Sequence, residues 1–447
     1  MKNTTPSLFI LLLISQLTFG EPTQPVYQIA KWLDDKKAAV SVNFDDNLPG
    51  QFTTALPIMN TKGVKGTFYV ITGSASSQWT VLQSAIDAGH EIGSHSVSHP
   101  TDLNFPLLSQ PAKEVEIEKE LKNSHDALLA NLTGQTSLSI SWPFGKGGGG
   151  NDSIVRRVAK KYYYAARNTT SGSPNGDAYT HYQNAYFSAF GRDYYLQSGG
   201  ILMTSATTKI NMGTFITEII KTNGWFSPFY HAVDQAGGYN NVTTAVFQQH
   251  IDTIASQSAD LWITPFGNAS KYHHERNLGA ATLSTIAEDA TNWTLNLTDN
   301  LDNTTFNHPL TILLNEPLFA IQSISQNSKN IPFSLNAGVL KFNVVPDGGN
   351  IILKKDTGTG MSSTSLNAGM SLKSNSESYN LEINNSNKQF TNIALFDSTG
   401  KLVKTFNNGM LNEGQHSFSI QKNQLQKGVF ILKIVGEQTK TYKLVMN

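Results

Sequence analysis

A chain of 447 residues that is 39% hydrophobic can bury a substantial core in roughly two to four domains, which excludes a disordered protein. Lys plus Arg equals Asp plus Glu at 33 each, so no net field selects nucleic acid or an anionic membrane, and a neutral partner such as a glycan fits. Cysteine is absent, so zinc–thiolate sites, disulfides and thiol nucleophiles are excluded, and any metal must be held by nitrogen and oxygen.

The first element is an export signal over residues 1–20. Lys2 supplies the positive start, Leu8 to Leu17 is an apolar run too short to span a bilayer, and Thr18-Phe19-Gly20 suits signal-peptidase cleavage before Glu21. No later apolar run is long enough for a transmembrane helix. From Tyr27 to about Tyr272, strand-like runs such as Ala38 to Phe44 and Gly66 to Val70 alternate with helical ones such as Trp79 to Ala88, the pattern of parallel strands joined by crossover helices.

Asp45 and Asp46 close the Ala38 to Phe44 strand, at the edge where parallel sheets place their sites, so one carboxylate can bind a metal while the other moves a proton. His95 and His99 follow, four residues apart and on one face if the segment makes a helical turn. Two imidazoles and one aspartate form a facial donor set that leaves positions open for water and substrate. Glu114, Glu116, Glu118 and Glu120 read as a solvated helix face, and Gly147 to Gly150 as a rim loop rather than a phosphate cradle, because no Lys-Ser follows. His231 ends another apolar strand. His125, His181, His250, His273, His274 and His308 read as structural or surface residues.

Beyond about Ala280 the texture becomes antiparallel: Trp293 to Leu297 and Gly338 to Val345 alternate like half-exposed strands. The expected division is a signal peptide over 1–20, a catalytic domain over 25–278, a β-sandwich over 280–355, a Ser/Thr/Gly/Asn-rich linker over 356–378 and a β-domain over 379–447. In the last of these, Ile393 to Asp397 turns at Ser398-Thr399-Gly400-Lys401 into Leu402 to Phe406, a hairpin signal.

Asn43-Phe44-Asp45-Asp46, His95-Ser96-Val97-Ser98-His99, Trp142-Pro143-Phe144-Gly145 and Phe229-Tyr230-His231 together resemble the motifs of the polysaccharide deacetylases of carbohydrate esterase family 4, over about Ala38 to Tyr272. The resemblance implies an α/β fold, a distorted (β/α) barrel, followed here by two small all-β sandwich-like domains. It implies one divalent metal, usually zinc, bound by Asp46, His95 and His99, with Asp45 as general base and His231 as the acid that protonates the leaving group. Phe144 would supply an oxyanion-binding N–H, Trp142 would neighbour it in the substrate region, and Phe229 would line the pocket for the acetyl methyl. Where family members often carry arginine, this chain has Ser141, and Arg167 is the expected substitute beside Asp45. A partner for His231 is unassigned, with Asp193 and Asp234 as candidates. The final 70 or so residues resemble the C-terminal sorting domain of the type IX secretion system, through Asp397 to Lys401 and Leu425-Gln426-Lys427-Gly428-Val429. That likeness implies export through the periplasm of a Gram-negative bacterium to the medium or cell surface, with the secretion machinery as partner. The implied substrate is an N-acetylglucosamine-containing glycan; the competing readings are an O-acetyl xylan esterase using the same site and a non-catalytic glycan-binding surface protein.

Overall fold

The computed structural model describes residues 25–145, 153–169, 197–207, 209–315, 319–336, 338–356, 370–385, 388–397, 401–435 and 439–446. The expected signal peptide, Gly147 to Gly150, His181, Asp193 and the turn residues Ser398 to Gly400 lie outside them.

The α/β part contains strands β1 (Tyr27–Ile29), β2 (Ala38–Val40), β3 (Val42–Phe44), β4 (Gly66–Val70), β5 (Glu91–Ser94), β6 (Leu138–Ser141), β7 (Tyr163–Thr169), β8 (Gln197–Leu202), β9 (Trp225–Phe226), β10 (Pro228–Tyr230) and β11 (Leu261–Ile263). Among the described residues, β3 to β8 pair in sequence order, all parallel, and β10 closes the ring by pairing with both β8 and β3. The barrel is distorted because the chain breaks step at Ser41 and Ser227. Below those breaks, β2 and β9 leave the ring and join β11 in a separate three-stranded parallel sheet. Polar side chains fill the break: Asn43 Nδ2 satisfies the backbone carbonyls of Ser41 (2.7 Å) and Pro228 (3.3 Å), and Trp225 Nε1 donates to the Ser41 hydroxyl (3.0 Å).

Strand alternation sorts the residues. Phe44, Phe68, Val70, Ile92 and Ile140 point outward and pack with helix residues such as Leu82, Leu121, Phe247 and Ile251 in one buried cluster. The intervening positions face each other inside and are largely polar: Thr67 Oγ1 and Ser139 Oγ both donate to the Glu91 carboxylate, at 2.7 and 2.9 Å, and the Arg167 guanidinium lies 5.3 Å from the centre of the Tyr69 ring. The ring is thus glued by hydrogen bonds within and by apolar burial without.

The middle β-region is a sandwich of two antiparallel sheets. One has the order β1, Leu310–Asn315, Val339–Val344, Phe333–Asn336; the other runs Thr282–Glu288, Asn292–Thr298, Ile351–Lys355, Ile321–Gln326, Lys329–Ile331. Its edge strand β1 comes from before the barrel, Tyr27 to Ile29 pairing with Leu314 to Ile312, so the sandwich is not a separate stretch of chain. Its core is also continuous with the barrel floor, since Trp32, Trp225, Trp262, Phe266 and Tyr272 share one buried cluster with Leu295, Ile312 and Phe342.

The C-terminal region is a second sandwich with its own core of Leu381, Ile393, Leu395, Leu432, Ile434 and Leu444. Its sheets contain three and four strands, and Gln389–Asp397 pairs with Leu402–Leu411 as the hairpin pattern requires. Within the stretch expected as a linker, Met370–Ser374 instead forms a strand against Tyr379 to Ile383 and buries Leu372. No helix among the described residues is long and apolar enough to cross a membrane.

Candidate metal centre and the residues around it

The barrel brings Asp45, Asp46, His95, His99, Ser141, Arg167 and His231 to the C-terminal ends of β3, β5, β6, β7 and β10. Strand pairing extends past the strand ends and fixes their height. Asp45 N–H donates to the Tyr230 carbonyl (2.9 Å) and His95 N–H to that of Val70 (2.8 Å). The two aspartates separate because the strand stops at Phe44 and Asp46 turns into left-handed backbone, φ 75°, followed by Asn47 at φ 43°. The Asn47 and Gln78 amides exchange hydrogen bonds, Nδ2 to Oε1 at 2.5 Å and Nε2 to the Asn47 carbonyl at 2.9 Å, which hold this costly turn.

Asp46, His95 and His99 form a group whose candidate donor atoms all lie within 4.8 Å of one another. Asp46 Oδ1 is 3.4 Å from His95 Nε2 and 3.6 Å from His99 Nε2. His95 Nδ1 lies 2.8 Å from the Ser141 carbonyl, which can only accept, so the Nδ1 proton is committed there and Nε2 is the ring nitrogen turned toward Asp46. Asp46 Oδ1 is buried and has no hydrogen-bond partner among the described residues. Two imidazole nitrogens and an otherwise unpartnered carboxylate oxygen facing one another fit a divalent cation held by nitrogen and oxygen.

The two histidines do not share a helical turn, contrary to the condition placed on their spacing. Ser96 and His99 adopt positive φ, 65° and 54°, in an irregular loop. Glu120 holds the loop in shape: its Oε2 accepts from the Val97 and Ser98 N–H groups, both at 2.9 Å, and its Oε1 accepts from Ser98 Oγ at 2.6 Å. Of the four glutamates read as a solvated helix face, this one is a structural clamp, whereas Glu114 pairs with Arg157 and Glu118 with Lys161.

Asp45 is 3% exposed, and Arg167 is fully buried beside it. Arg167 Nη2 donates to both Asp45 oxygens and, at 2.6 Å, to Ser141 Oγ. Burial pushes the Asp45 carboxyl up, but Arg167, His95 and His231 outweigh it and hold the group below its usual range. Burial likewise opposes ionisation of Asp46, which the neighbouring imidazoles of His95, His231 and His99 hold below its ordinary value. Arg167 is wedged at 4.3 Å over the Phe229 ring, and only a glycine leaves room behind it: a Cβ on Gly200 would lie 2.5 Å from Nη1 and 2.8 Å from Phe229 Cδ1.

His231 Nε2 lies 3.8 Å from Asp46 Oδ2. Burial lowers its pKa, against the pull of Asp45 and Asp46. Its Nδ1 has no hydrogen-bond partner among the described residues, and exposed Asp234 is not bonded to it. Gln51, in the turn after the aspartates, bridges the site through the backbone: its Nε2 donates to the carbonyls of Asp45 (2.5 Å) and His231 (3.0 Å).

Phe144 stands at the rim, 59% exposed, with its ring 4.7 Å from that of His99. Phe229 is buried beneath His231. Trp142 differs from its expected place in the substrate region: it is 1% exposed and packs in the barrel–helix core, because the residue after β6 continues the outward-facing row. His250 is a core residue bonded to the Tyr230 hydroxyl (3.0 Å) and the Thr207 carbonyl (2.8 Å). Sequence reading missed Glu120, Gln51 and Asn47, whose partners are distant in the chain, and Tyr239, whose setting in Gly237-Gly238-Tyr239-Asn240-Asn241 did carry a turn signal.

Two family models match. The polysaccharide deacetylase model covers residues 33–166 and therefore stops short of Arg167 and His231; the secretion system C-terminal sorting domain model covers residues 375–447. Among curated proteins, the chain is similar to gellan lyase of a Bacillus species, 26% identical over 355 residues, which is 74% of this chain but 13% of that protein's length. Among solved structures, it is similar to the Xyl-CE4 domain of a multidomain xylanase from the hindgut metagenome of Trinervitermes trinervoides (15% identity, TM-score 0.34, 52% of this chain and 89% of that one). A family 4 carbohydrate esterase from Streptomyces lividans is also similar (16% identity, TM-score 0.33, 51% of this chain and 91% of that one). The chain carries a polysaccharide deacetylase domain and ends in a secretion-system C-terminal sorting domain.

Proposed function

We propose that the chain is an exported, metal-dependent hydrolase that removes N-acetyl groups from an N-acetylglucosamine-containing glycan. The observation that carries this reading is the convergence of Asp46, His95 and His99 on one point, with a second carboxylate, Asp45, held ionised beside it by Arg167. Asp46, His95 and His99 would hold one divalent ion, zinc by the nitrogen-rich donor set. Such an ion supplies Lewis acidity, acidifying a water and polarising an acyl oxygen.

The chain's own groups do the rest. Asp45, kept as a carboxylate by Arg167, takes the proton of the attacking water. The Phe144 backbone N–H is the donor this reading assigns to the developing oxyanion, one that needs no reorganisation. His231, across Asp46, delivers a proton to the departing amine. Phe229 under His231 gives the acetyl methyl an apolar floor. An O-acetyl ester would pass through the same tetrahedral geometry, so the amide preference is a separate claim. The C-terminal sandwich directs export to the medium or cell surface through type IX secretion, preceded by passage across the inner membrane on the signal peptide over residues 1–20.

Acetate release from chitooligosaccharides and acetylxylan, with the purified protein stripped of metal and then reloaded with zinc, tests the reading. Release from the amide substrate, lost on stripping and restored by zinc, is the expected result. Release from acetylxylan alone would replace the amide with the ester, and no release from either would end the hydrolase reading.

A further inference from the structure

Outside the donor set, two large aromatic side chains stand in solvent beside the site. Tyr239 is 63% exposed and Phe144 is 59% exposed. Each rests on one imidazole. The Tyr239 ring is 4.7 Å from that of His231 and nearly perpendicular to it, at 87°, and the Phe144 ring is 4.7 Å from that of His99 at 55°. His231 and His99 approach opposite oxygens of Asp46, Oδ2 at 3.8 Å and Oδ1 at 3.6 Å. The side chains therefore follow the order Tyr239, His231, Asp46, His99, Phe144, with the two rings bracketing the carboxylate.

Tyr239 is not a loose loop tip. Ala232 N–H donates to its carbonyl (3.2 Å), Val242 N–H donates to the Ala232 carbonyl (3.0 Å), and Asp234 N–H donates to that of Val242 (2.8 Å). Asn241 Oδ1 accepts from Gln235 N–H (2.8 Å), while Gln235 Oε1 accepts from Gly50 N–H (3.4 Å), tying the loop to the segment after the aspartates. Gly238 is needed for this fold, since a Cβ there would lie 2.4 Å from that of Ala232. The loop backbone beneath Tyr239 is thus fixed while its ring stays in water and forgoes burial, which is intelligible if a ligand covers it.

We infer that Tyr239 is a sugar platform, which takes the face of a neutral pyranose on the His231 side while Phe144 takes a neighbouring unit on the His99 side, so that the site binds an oligosaccharide rather than a single sugar. The C–H face of a pyranose is weakly positive and apolar, the complement of the negative aromatic face, and it carries no charge that Asp45 or Asp46 would repel. This inference rests on the deacetylase reading and adds the feature that positions the chain of sugars.

Two measurements on the zinc-loaded, full-length protein test it. In an Asp45→Asn background, which binds without turnover, Tyr239→Ala weakens binding of an N-acetylglucosamine tetramer by roughly five- to tenfold and Tyr239→Phe restores it, the scale of one aromatic contact. In the active protein, Tyr239→Ala raises KM for the tetramer by a similar factor with a far smaller change in kcat. Equal tetramer binding with and without the ring, or a fall in kcat at constant KM, overturns the platform and leaves Tyr239 as a support for His231. If the Asp45→Asn protein binds no glycan and the parent releases no acetate, the deacetylase reading itself fails; the platform alone fails when the parent is active and Tyr239→Ala matches it.

Discussion

Replacing Arg167 with methionine tests the pairing on which the base depends. The guanidinium is fully buried, and its Nη2 reaches both Asp45 oxygens and Ser141 Oγ. Removing one partner of a buried pair leaves the other charge without compensation, at a cost of about 3–5 kcal/mol. In the metal-stripped protein that is a fall of about 6–20 °C in the midpoint of the barrel's thermal transition. The sign of its pH dependence follows from the carboxylate. In the parent, Asp45 titrates below its unfolded value, so its contribution is present at neutral pH and lost on acidification. In Arg167→Met the foremost stabiliser of the charge is gone and burial is opposed only by His95 and His231, so the variant's deficit is largest at neutral pH and shrinks as pH falls. Adding Asp45→Asn to Arg167→Met removes the stranded charge, and the double variant melts above the single one while remaining inactive. Differential scanning calorimetry of the three proteins, at pH 7 and pH 5, reads all of this. A single variant within about 1 kcal/mol of the parent, or a double variant no more stable than the single, would refute the reasoning.

Glu120→Gln keeps the shape of the clamp but weakens its bonds to Val97, Ser98 and the Ser98 hydroxyl; competition with a chelator is expected to show metal affinity down by roughly 10- to 100-fold, the range for outer-shell partners. Gly200→Ala drives a methyl into Arg167 and Phe229, so about 1–3 kcal/mol of stability is lost by thermal melting together with kcat. Glu275, buried where the barrel meets the sandwich, has its carboxyl pushed up to about 8, first by burial and then by Asp299. Its folded pKa lies above the unfolded one, so between about pH 5 and pH 8 stability falls as pH rises, by roughly 1.4 kcal/mol per unit at most. Glu275→Gln flattens that decline, and melting curves across the window show it as a gain at pH 8 and none at pH 4.

Fold class was readable because short strand-like runs and helical segments take turns along the first part of the chain, whereas the later part is a succession of half-exposed alternating strands separated by turns; crossover helices are needed only between parallel strands. The residues that meet at the site could be named because strand ends and a four-residue His spacing are local signals. What holds them could not. Glu120 reaches its loop from 22 residues away, and Gln51 reaches the His231 carbonyl from 180 residues away, so no window of sequence contains both partners. The helical turn on which a shared face for His95 and His99 was conditional does not form, since the His99 N–H that would close it donates to Ser96 Oγ while distant Glu120 fixes the loop at Val97 and Ser98. Strand β1 and Met370–Ser374 were missed because edge strands are short and take their register from partners elsewhere in the chain.

The account rests on Asp46, His95 and His99 sharing one cation. Metal analysis of the purified protein, alongside His95→Ala and His99→Ala, measures this directly: one equivalent of a divalent ion in the parent and a large loss in each variant are expected. A parent that takes up no ion, or variants that retain a full equivalent, would contradict it.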